Sequence, residues 1–286
     1  MRFLPFGGGL RGPARRRPAA LVPWALLGAA CLAVLPPGAA QAASPGSPGS
    51  PRAAQAGFPG SPGSPLLRSG RLAATSCPEP PIVDRGIPRT GEYLTAAMRC
   101  LNRSWSDHFA RAGLRFRKPT VRLYEQPEKR VCGVRWPAGA AAFYCTERAT
   151  LVFPLTGGWI EDRTDLYPLK VAAHEYGHHL QSLTGVRDHY EARARSDRAR
   201  RAELGRRYEL QADCLSGVFL GSVRHSLART GQDWEALSEA IRASGDDGDH
   251  RTHGSGPNRV RWFERGYDAV SPSACDTWTA APSRVS

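Results

Sequence analysis

HEYGH, residues 174–178, lies within an apolar run from Leu169 to Leu183 that has the spacing of a helix. Residues four apart share a helix face, so the imidazoles of His174 and His178 project side by side and can bind one metal ion. Glu175 lies one position further around the helix, where its carboxylate can reach a water molecule on that metal. Two imidazole ligands beside a carboxylate base predict a zinc site that activates water.

A second helix-like segment supplies a candidate for the third ligand. A catalytic zinc ion takes three protein ligands and keeps one position open for water. Glu209 and Asp213, in the sequence ELQAD, are four residues apart and share a face of that helix. Glu209 would complete a His2Glu site, and Asp213 would accept a hydrogen bond from the outer N–H of a ligand histidine. The two motifs together are more specific than either one alone.

Two residues near these motifs have simpler explanations that the sequence leaves open. Glu209 is also compatible with an ordinary surface carboxylate, since glutamates are mostly exposed. His179 points about 100° around the helix from His178, which favours a role in packing or behind the metal ligands. The remaining alternative is a metal site in a different register that uses His179.

Hydrolysis of a peptide also needs a hydrogen-bond donor that stabilises the negative charge developing on the carbonyl oxygen. His253, in the sequence THGS, and Tyr176, inside the pentad, are the two candidates for this catalytic role. The alternative for His253 is that it orders the loop before the last helix.

Three separated motifs occur in order along the chain: HEYGHHLQ at residues 174–181, ELQADCLSG at 209–217 and THGSGPNRVRWF at 252–263. Together they resemble the bacterial neutral zinc metallopeptidases, whose motifs are similar in logic to those of the gluzincins. The resemblance covers roughly Cys77 to Cys275.

This resemblance implies a set of roles and an activity. His174, His178 and Glu209 would be the zinc ligands. Glu175 would be the general base, and Asp213 would orient a ligand histidine. The predicted helices and strands indicate a predominantly helical α+β domain, zincin-like, with a small sheet. The activity that the resemblance implies is proteolysis.

Residues 1–42 have the features of a secretory signal peptide: arginines near the N-terminus, an apolar run and the small-residue site Ala40-Gln41-Ala42. We therefore expect a secreted, extracellular protein. The alternative is an uncleaved signal that anchors the protein in the membrane with its domain facing outside. Residues 43–76 are dominated by Gly, Pro, Ser and Ala, which predicts a disordered linker. Residues 77–286 are the predicted zinc metallopeptidase domain.

Six cysteines remain when Cys31 is removed with the signal. An even number in an exported protein predicts disulfides, although six cysteines allow 15 pairings. Proximity along the sequence favours Cys77–Cys100, Cys132–Cys145 and Cys214–Cys275. Buried thiols are the alternative, and the absence of a C-x-x-C pair argues against a cysteine zinc site.

The chain is basic, with a formal net charge of +13. Removing the five arginines of the predicted signal leaves about +8. The segment from Arg187 to Arg206, an insert relative to the best-known gluzincins, is especially rich in arginine. A basic surface favours anionic partners such as cell-wall polymers or acidic peptides. Export and the lack of a recognisable binding motif argue against nucleic acid as a partner.

Periodicity predicts a first helix from Thr90 to about Gly113. Runs bounded by Pro and Gly predict strands at Thr120–Tyr124, Ala140–Tyr144 and Ala149–Phe153. Zincins pair extended substrate with an edge strand beside the active site. The strand near Phe153 is the predicted edge.

Helix boundaries and one glycine give further expectations. Pro168 suits the first turn of the HEYGH helix, and Gly185 suits its C-terminal end. Gly177 in mid-helix predicts that another backbone packs closely against it. Asp233 and Ser255 are predicted to cap the last two helices.

The sequence thus predicts a secreted zinc peptidase that hydrolyses peptide bonds in peptide or protein substrates. One alternative is a pseudopeptidase that retains zinc and acts as a cell-surface binding module, although Glu175 is intact. The other is a zinc amidase that acts on cell-wall peptides.

Overall fold

The computed structural model describes residues 64–80, 87–137, 139–161, 163–247 and 251–286. The predicted signal peptide and the first part of the predicted linker lie outside the described residues. Across the ranges given, no helix combines the length and the apolar character needed to cross a membrane.

Six α-helices and a small mixed sheet make up the described part of the chain, which confirms the expected helix-rich α+β fold. The helices account for most of the hydrophobic core. Short 3₁₀ turns join several of them. The helices are α1 (Ile87–Arg111), α2 (Tyr167–Leu183), α3 (Val186–Ser196), α4 (Arg201–Val223), α5 (Gly231–Ala243) and α6 (Gly256–Ala269).

Five short strands form two sheets within the described ranges: β1 (Thr120–Tyr124), β2 (Arg130–Val131), β3 (Val134–Arg135), β4 (Phe143–Cys145) and β5 (Thr150–Pro154). β2 and β3 form a two-stranded antiparallel sheet. The other three lie in the order β1–β5–β4, with β1 parallel and β4 antiparallel to β5.

The prediction that the strand near Phe153 is an edge strand is wrong. Phe153 lies in β5, which is the central strand of the three and is buried along its whole length. Its continuous apolar sequence TLVFP is typical of a strand covered on both faces. The edge next to it is β4, which begins at Phe143, later than the sequence predicts.

Residues 64–76 do not form the disordered linker that their composition predicts. Both leucines of the 3₁₀ turn Leu66–Arg68 are buried, and Leu72 is buried with them in the main core. The backbone N–H of Leu72 donates to the carbonyl of Val270. The free energy gained by burying these leucines exceeds the cost of ordering the polar, Gly-rich residues around them. This segment therefore belongs to the domain that the sequence predicts to start at Cys77.

Gly177 brings α2 and α4 close together. A Cβ atom added at Gly177 would lie 3.2 Å from the Cα of Ala212, so the predicted close approach of another backbone is confirmed. Pro168 lies in the first turn of α2, and Gly185 follows its end with a φ of 75°. Because α2 carries HEYGH and α4 carries ELQAD, their contact brings the two motifs together.

Three more glycines allow α4 and α6 to pack backbone against backbone. A Cβ atom at Gly217 or Gly221 would collide with the backbone of Phe263 or Tyr267 in α6. A Cβ atom at Gly266 would collide with the carbonyl of Cys214 in α4. Larger side chains here would force the helices apart. This contact fixes the position of α6 over the site described below.

The sequence does not predict the secondary structure of the arginine-rich insert. It folds as α3 and the first turns of α4. Val186 and Ala194 are the buried residues of α3, and most of its other side chains are exposed or half-buried. The predicted cap of α5 is off by three residues. Thr230 is the N-cap, and Asp233 completes a capping box with it. Ser255 is at the N-cap position of α6, but its side chain makes no capping hydrogen bond.

The three disulfides favoured by sequence proximity are all present: Cys77–Cys100, Cys132–Cys145 and Cys214–Cys275. The third joins α4 to the C-terminal segment, and Gln211 of α4 donates to the carbonyl of Cys275. The same segment is thus tied to α4 by a covalent bond and a hydrogen bond.

We expect the chain without residues 1–42, produced in an oxidising compartment, to contain no free thiol. Its intact mass should lie six hydrogens below that of the fully reduced chain, because three disulfides form. Alkylation of the denatured protein followed by mass spectrometry checks this, with a reduced sample as control. Six alkylated cysteines without reduction would contradict it.

Candidate metal centre

Three donor atoms from α2 and α4 converge at one point. The Nε2 atom of His174 lies 3.3 Å and that of His178 lies 3.2 Å from Oε2 of Glu209. Ligand bonds of 2.0–2.1 Å at tetrahedral angles would separate two ligand atoms by about 3.3 Å. Within the residues that the structure describes, this is the one group of three such side chains close enough to hold an ion. The donor set therefore fits zinc.

The outer nitrogen of His174 faces a buried carboxylate. Its Nδ1 atom lies 2.8 Å from Oδ1 of Asp213, the partner that the sequence predicts. Two cations also bind this carboxylate. Lys170 Nζ lies 2.5 Å from Oδ1, and Arg259 donates through Nε to Oδ2 at 2.8 Å. Asp213 is fully buried, so it is held as an anion by a lysine of α2 and an arginine of α6.

The outer nitrogen of His178 has a neutral partner. Its Nδ1 atom lies 2.8 Å from Oε1 of Gln181, whose amide nitrogen donates to the carbonyl of Tyr208 and to Gln211. The ring of Tyr208 stacks on the His178 ring at 4.8 Å between centroids. Both histidines are thereby oriented with Nε2 toward Glu209.

Burial and close charges shift the pKa values of the carboxyl groups. Burial raises the pKa of Asp213, but Arg259 and Lys170 outweigh it and hold the pKa well below its usual range. Burial also raises the pKa of Glu209, but His178 and His253 bring it well below normal. Both groups are therefore carboxylates.

The pKa values of Lys170, His178 and Glu175 shift for different reasons. Burial lowers the pKa of Lys170 to about 8, although Asp213 opposes that shift. Burial lowers the pKa of His178, but the Glu209 carboxylate dominates in the protein without metal and raises it to about 9. Burial raises the pKa of Glu175, which suits a group that must accept and release a proton.

A cavity of about 230 Å³ opens beside these donors. Glu175 and His174 form part of its wall, and the residues that precede edge strand β4, 139–142, form another part. The chain segment that leads into β4 therefore lies at the same cavity as His174 and Glu175.

His253 also lines this cavity. Its Nε2 atom lies 3.5 Å from Oε2 of Glu209, and its ring centre lies 6.2 Å from that of His174. The carboxylate of Asp246 accepts from the backbone N–H groups of His253 and of both its neighbours, at 2.7–3.0 Å. These bonds fix the backbone on both sides of His253, whose imidazole lies beside the cavity; its donor role stays a prediction.

Two neighbours of the ligands point away from the site. Tyr176 is fully buried, and its hydroxyl donates to Asn102 of α1, so the predicted donor role of Tyr176 is wrong. His179 is buried too, with Nε2 2.6 Å from the carbonyl of Arg117. It is a packing residue, and the metal site in another register that would use it does not form.

Asp213→Ala should weaken zinc binding about 10–100-fold, because His174 loses its orienting partner. It should also lower the free energy of unfolding by about 3–5 kcal/mol, because Lys170 and Arg259 remain buried without their anion. A chelator competition titration measures the first effect, and urea unfolding of metal-free protein measures the second. Asp268→Ala, at an exposed position of α6, is the matched control. An unchanged zinc dissociation constant would show that Asp213 does not support the site.

Sequence reasoning missed Lys170, Gln181, Arg259 and Asp246. Lys170 precedes His174 by four residues and is a lone lysine in an apolar helix, which is a usable signal. Gln181 follows His178 by three residues on the same helix. Arg259 lies inside the third motif, THGSGPNRVRWF, but the motif does not indicate which residue its guanidinium contacts. Asp246 meets the site only through tertiary packing, and no motif contains it.

An HExxH helix that meets a glutamate from a second helix is the arrangement of zinc metallopeptidases. The chain belongs to the family described as "Putative neutral zinc metallopeptidase", whose model matches residues 89–278. The resemblance inferred from the three motifs is thereby confirmed. Membership supports a zinc hydrolase at the level of the family.

Relatives occur in distant bacteria. The chain is 32% identical over 200 residues to "Uncharacterized protein YpfJ" of Escherichia coli K12, a match that covers 61% of this chain and 67% of that protein. It is 38% identical over 134 residues to "Uncharacterized protein Rv2575" of Mycobacterium tuberculosis H37Rv, covering 39% of this chain and 44% of that protein. No solved structure matches the chain significantly.

Proposed function

We propose that this protein is an exported zinc-dependent peptidase that hydrolyses peptide bonds with Glu175 as general base. The observation that carries the proposal is the convergence of His174, His178 and Glu209 on one point, beside a cavity that His174 and Glu175 line. Family membership supports the same class of reaction.

The roles of the side chains follow from their positions. A zinc ion held by His174, His178 and Glu209 would polarise the scissile carbonyl and lower the pKa of the attacking water. Glu175 accepts the proton of that water and delivers it to the leaving amine. His253 donates to the carbonyl oxygen as negative charge develops there.

Substrate backbone would align with the edge of β4 that pairs with no other strand in the described ranges. An edge strand offers unpaired N–H and C=O groups that can pair with an extended peptide. Residues 139–142 connect this edge to the cavity, so a peptide paired here would run past Glu175. This segment replaces the strand near Phe153 in the substrate-binding role.

Export is supported by the signal-like N-terminus and by the three disulfides, which persist in oxidising compartments. We therefore place the activity outside the cytoplasm, on peptide or protein substrates. The presence of Glu175 in the cavity favours an enzyme over a binding module, since a binding module has no use for a base.

Incubation of the purified protein with a diverse peptide library tests the proposal. We expect cleavage that a chelator abolishes and added zinc restores, with Glu175→Gln as the inactive control. Cleavage of cell-wall muropeptides alone would identify a zinc amidase instead. Zinc binding with cleavage of neither substrate class would identify a pseudopeptidase.

A further inference from the structure

The arginine-rich insert forms a cleft that the catalytic site does not use. It lies between α3 and the start of α4 and has a volume of about 810 Å³, within the range of about 300–1,000 Å³ typical of ligand pockets. We call it the arginine cleft. Its lining includes Arg187, Arg195, Arg198, Arg201, Glu191 and Tyr190.

The cleft has more positive than negative charge. Its one carboxylate, Glu191, binds Arg187 at 2.5 Å and Arg195 at 3.4 Å. Arg198 and Arg201 are exposed and form no ion pair with any residue that the structure describes. A concave surface lined by one sign of charge focuses its field and attracts ions of the opposite sign.

An aromatic stack connects the arginine cleft to the metal centre. The guanidinium of Arg187 lies 5.7 Å from the centre of the Tyr190 ring and 5.4 Å from that of Tyr208. Tyr208 stacks on Tyr190 at 4.9 Å and on the ligand His178 at 4.8 Å. The ring of Tyr208 therefore lies between the lining of the cleft and the metal ligand His178.

Guanidinium groups match carboxylates in shape and charge, and they bind them with paired hydrogen bonds. We propose that the arginine cleft binds a run of Asp or Glu side chains in the polypeptide substrate. A peptide is the favoured occupant because the adjoining centre is that of a peptidase, so the substrate class rests on the proposed function.

Binding of a fluorescein-labelled peptide with six consecutive glutamates tests this proposal, measured by anisotropy at low salt. Full-length protein with Glu175→Gln prevents cleavage during the measurement. Adding Arg198→Ser and Arg201→Ser should weaken binding about tenfold. The matched control removes the same charge with Arg122→Ser and Arg193→Ser, exposed positions outside the cleft, and should change binding less than twofold.

The remaining outcomes are distinct. Equal weakening in both variants would show a response to net charge only and would overturn the proposal. Binding of a six-glutamine peptide as tightly as the glutamate peptide would also overturn the proposal. Binding of polyphosphate without binding of the glutamate peptide would overturn it as well. Because the assay needs no catalysis, intact binding with no hydrolysis by the wild type would refute the proposed peptidase function while the anion site stands.

Discussion

Glu175→Gln is expected to retain one zinc ion per chain and to lose at least a hundredfold in peptidase activity, the usual contribution of a general base. The amide keeps the shape of the side chain and leaves His174, His178 and Glu209 unchanged. It cannot accept a proton from water, so both the attack and the departure of the amine are impaired.

Parallel measurements of kcat/KM and bound zinc check this expectation. Glu235→Gln, the same change at an exposed position of α5, is the matched control and should leave both quantities unchanged. Near-normal turnover in Glu175→Gln would mean that another group activates the water.

His178→Ala is expected to abolish stoichiometric zinc and, with it, all zinc-dependent hydrolysis. The variant keeps one imidazole and one carboxylate, which leaves the ion too few protein ligands for a catalytic site. It also removes the ring that stacks on Tyr208, so stability is best compared with that of metal-free wild type.

Metal analysis after dialysis, with circular dichroism to confirm folding, provides the measurement. His225→Ala, at an exposed histidine in the turn after α4, should bind zinc like the wild type. Full zinc occupancy in a folded His178→Ala protein would exclude this histidine as a ligand.

The local part of the site could be predicted from sequence because helical geometry is local. Four-residue spacing places His174 beside His178 and Glu209 beside Asp213, and the structure brings these four residues together. The same geometry shows that His179 points elsewhere. Tyr176 illustrates the limit, since the direction of its side chain depends on α1 supplying Asn102 as a partner.

The nonlocal part could not be predicted. Arg259 reaches Asp213 only because glycines in α4 and α6 let the two helices touch, and the third motif, in which Arg259 lies, does not indicate that contact. Composition also misled at residues 64–76, where a few leucines find a hydrophobic surface that exists only in the folded domain. The order of strands in a sheet also depends on tertiary contacts, so the sequence of β5 alone does not show that it is the central strand.

Activity as a function of bound zinc tests the central claim most directly. Metal-free wild type is prepared with a chelator, the chelator is removed, and zinc is returned in small steps while hydrolysis of one cleaved peptide is followed. We predict no activity without metal and a linear rise that ends at one zinc ion per chain. Full activity in the metal-free protein would contradict the account.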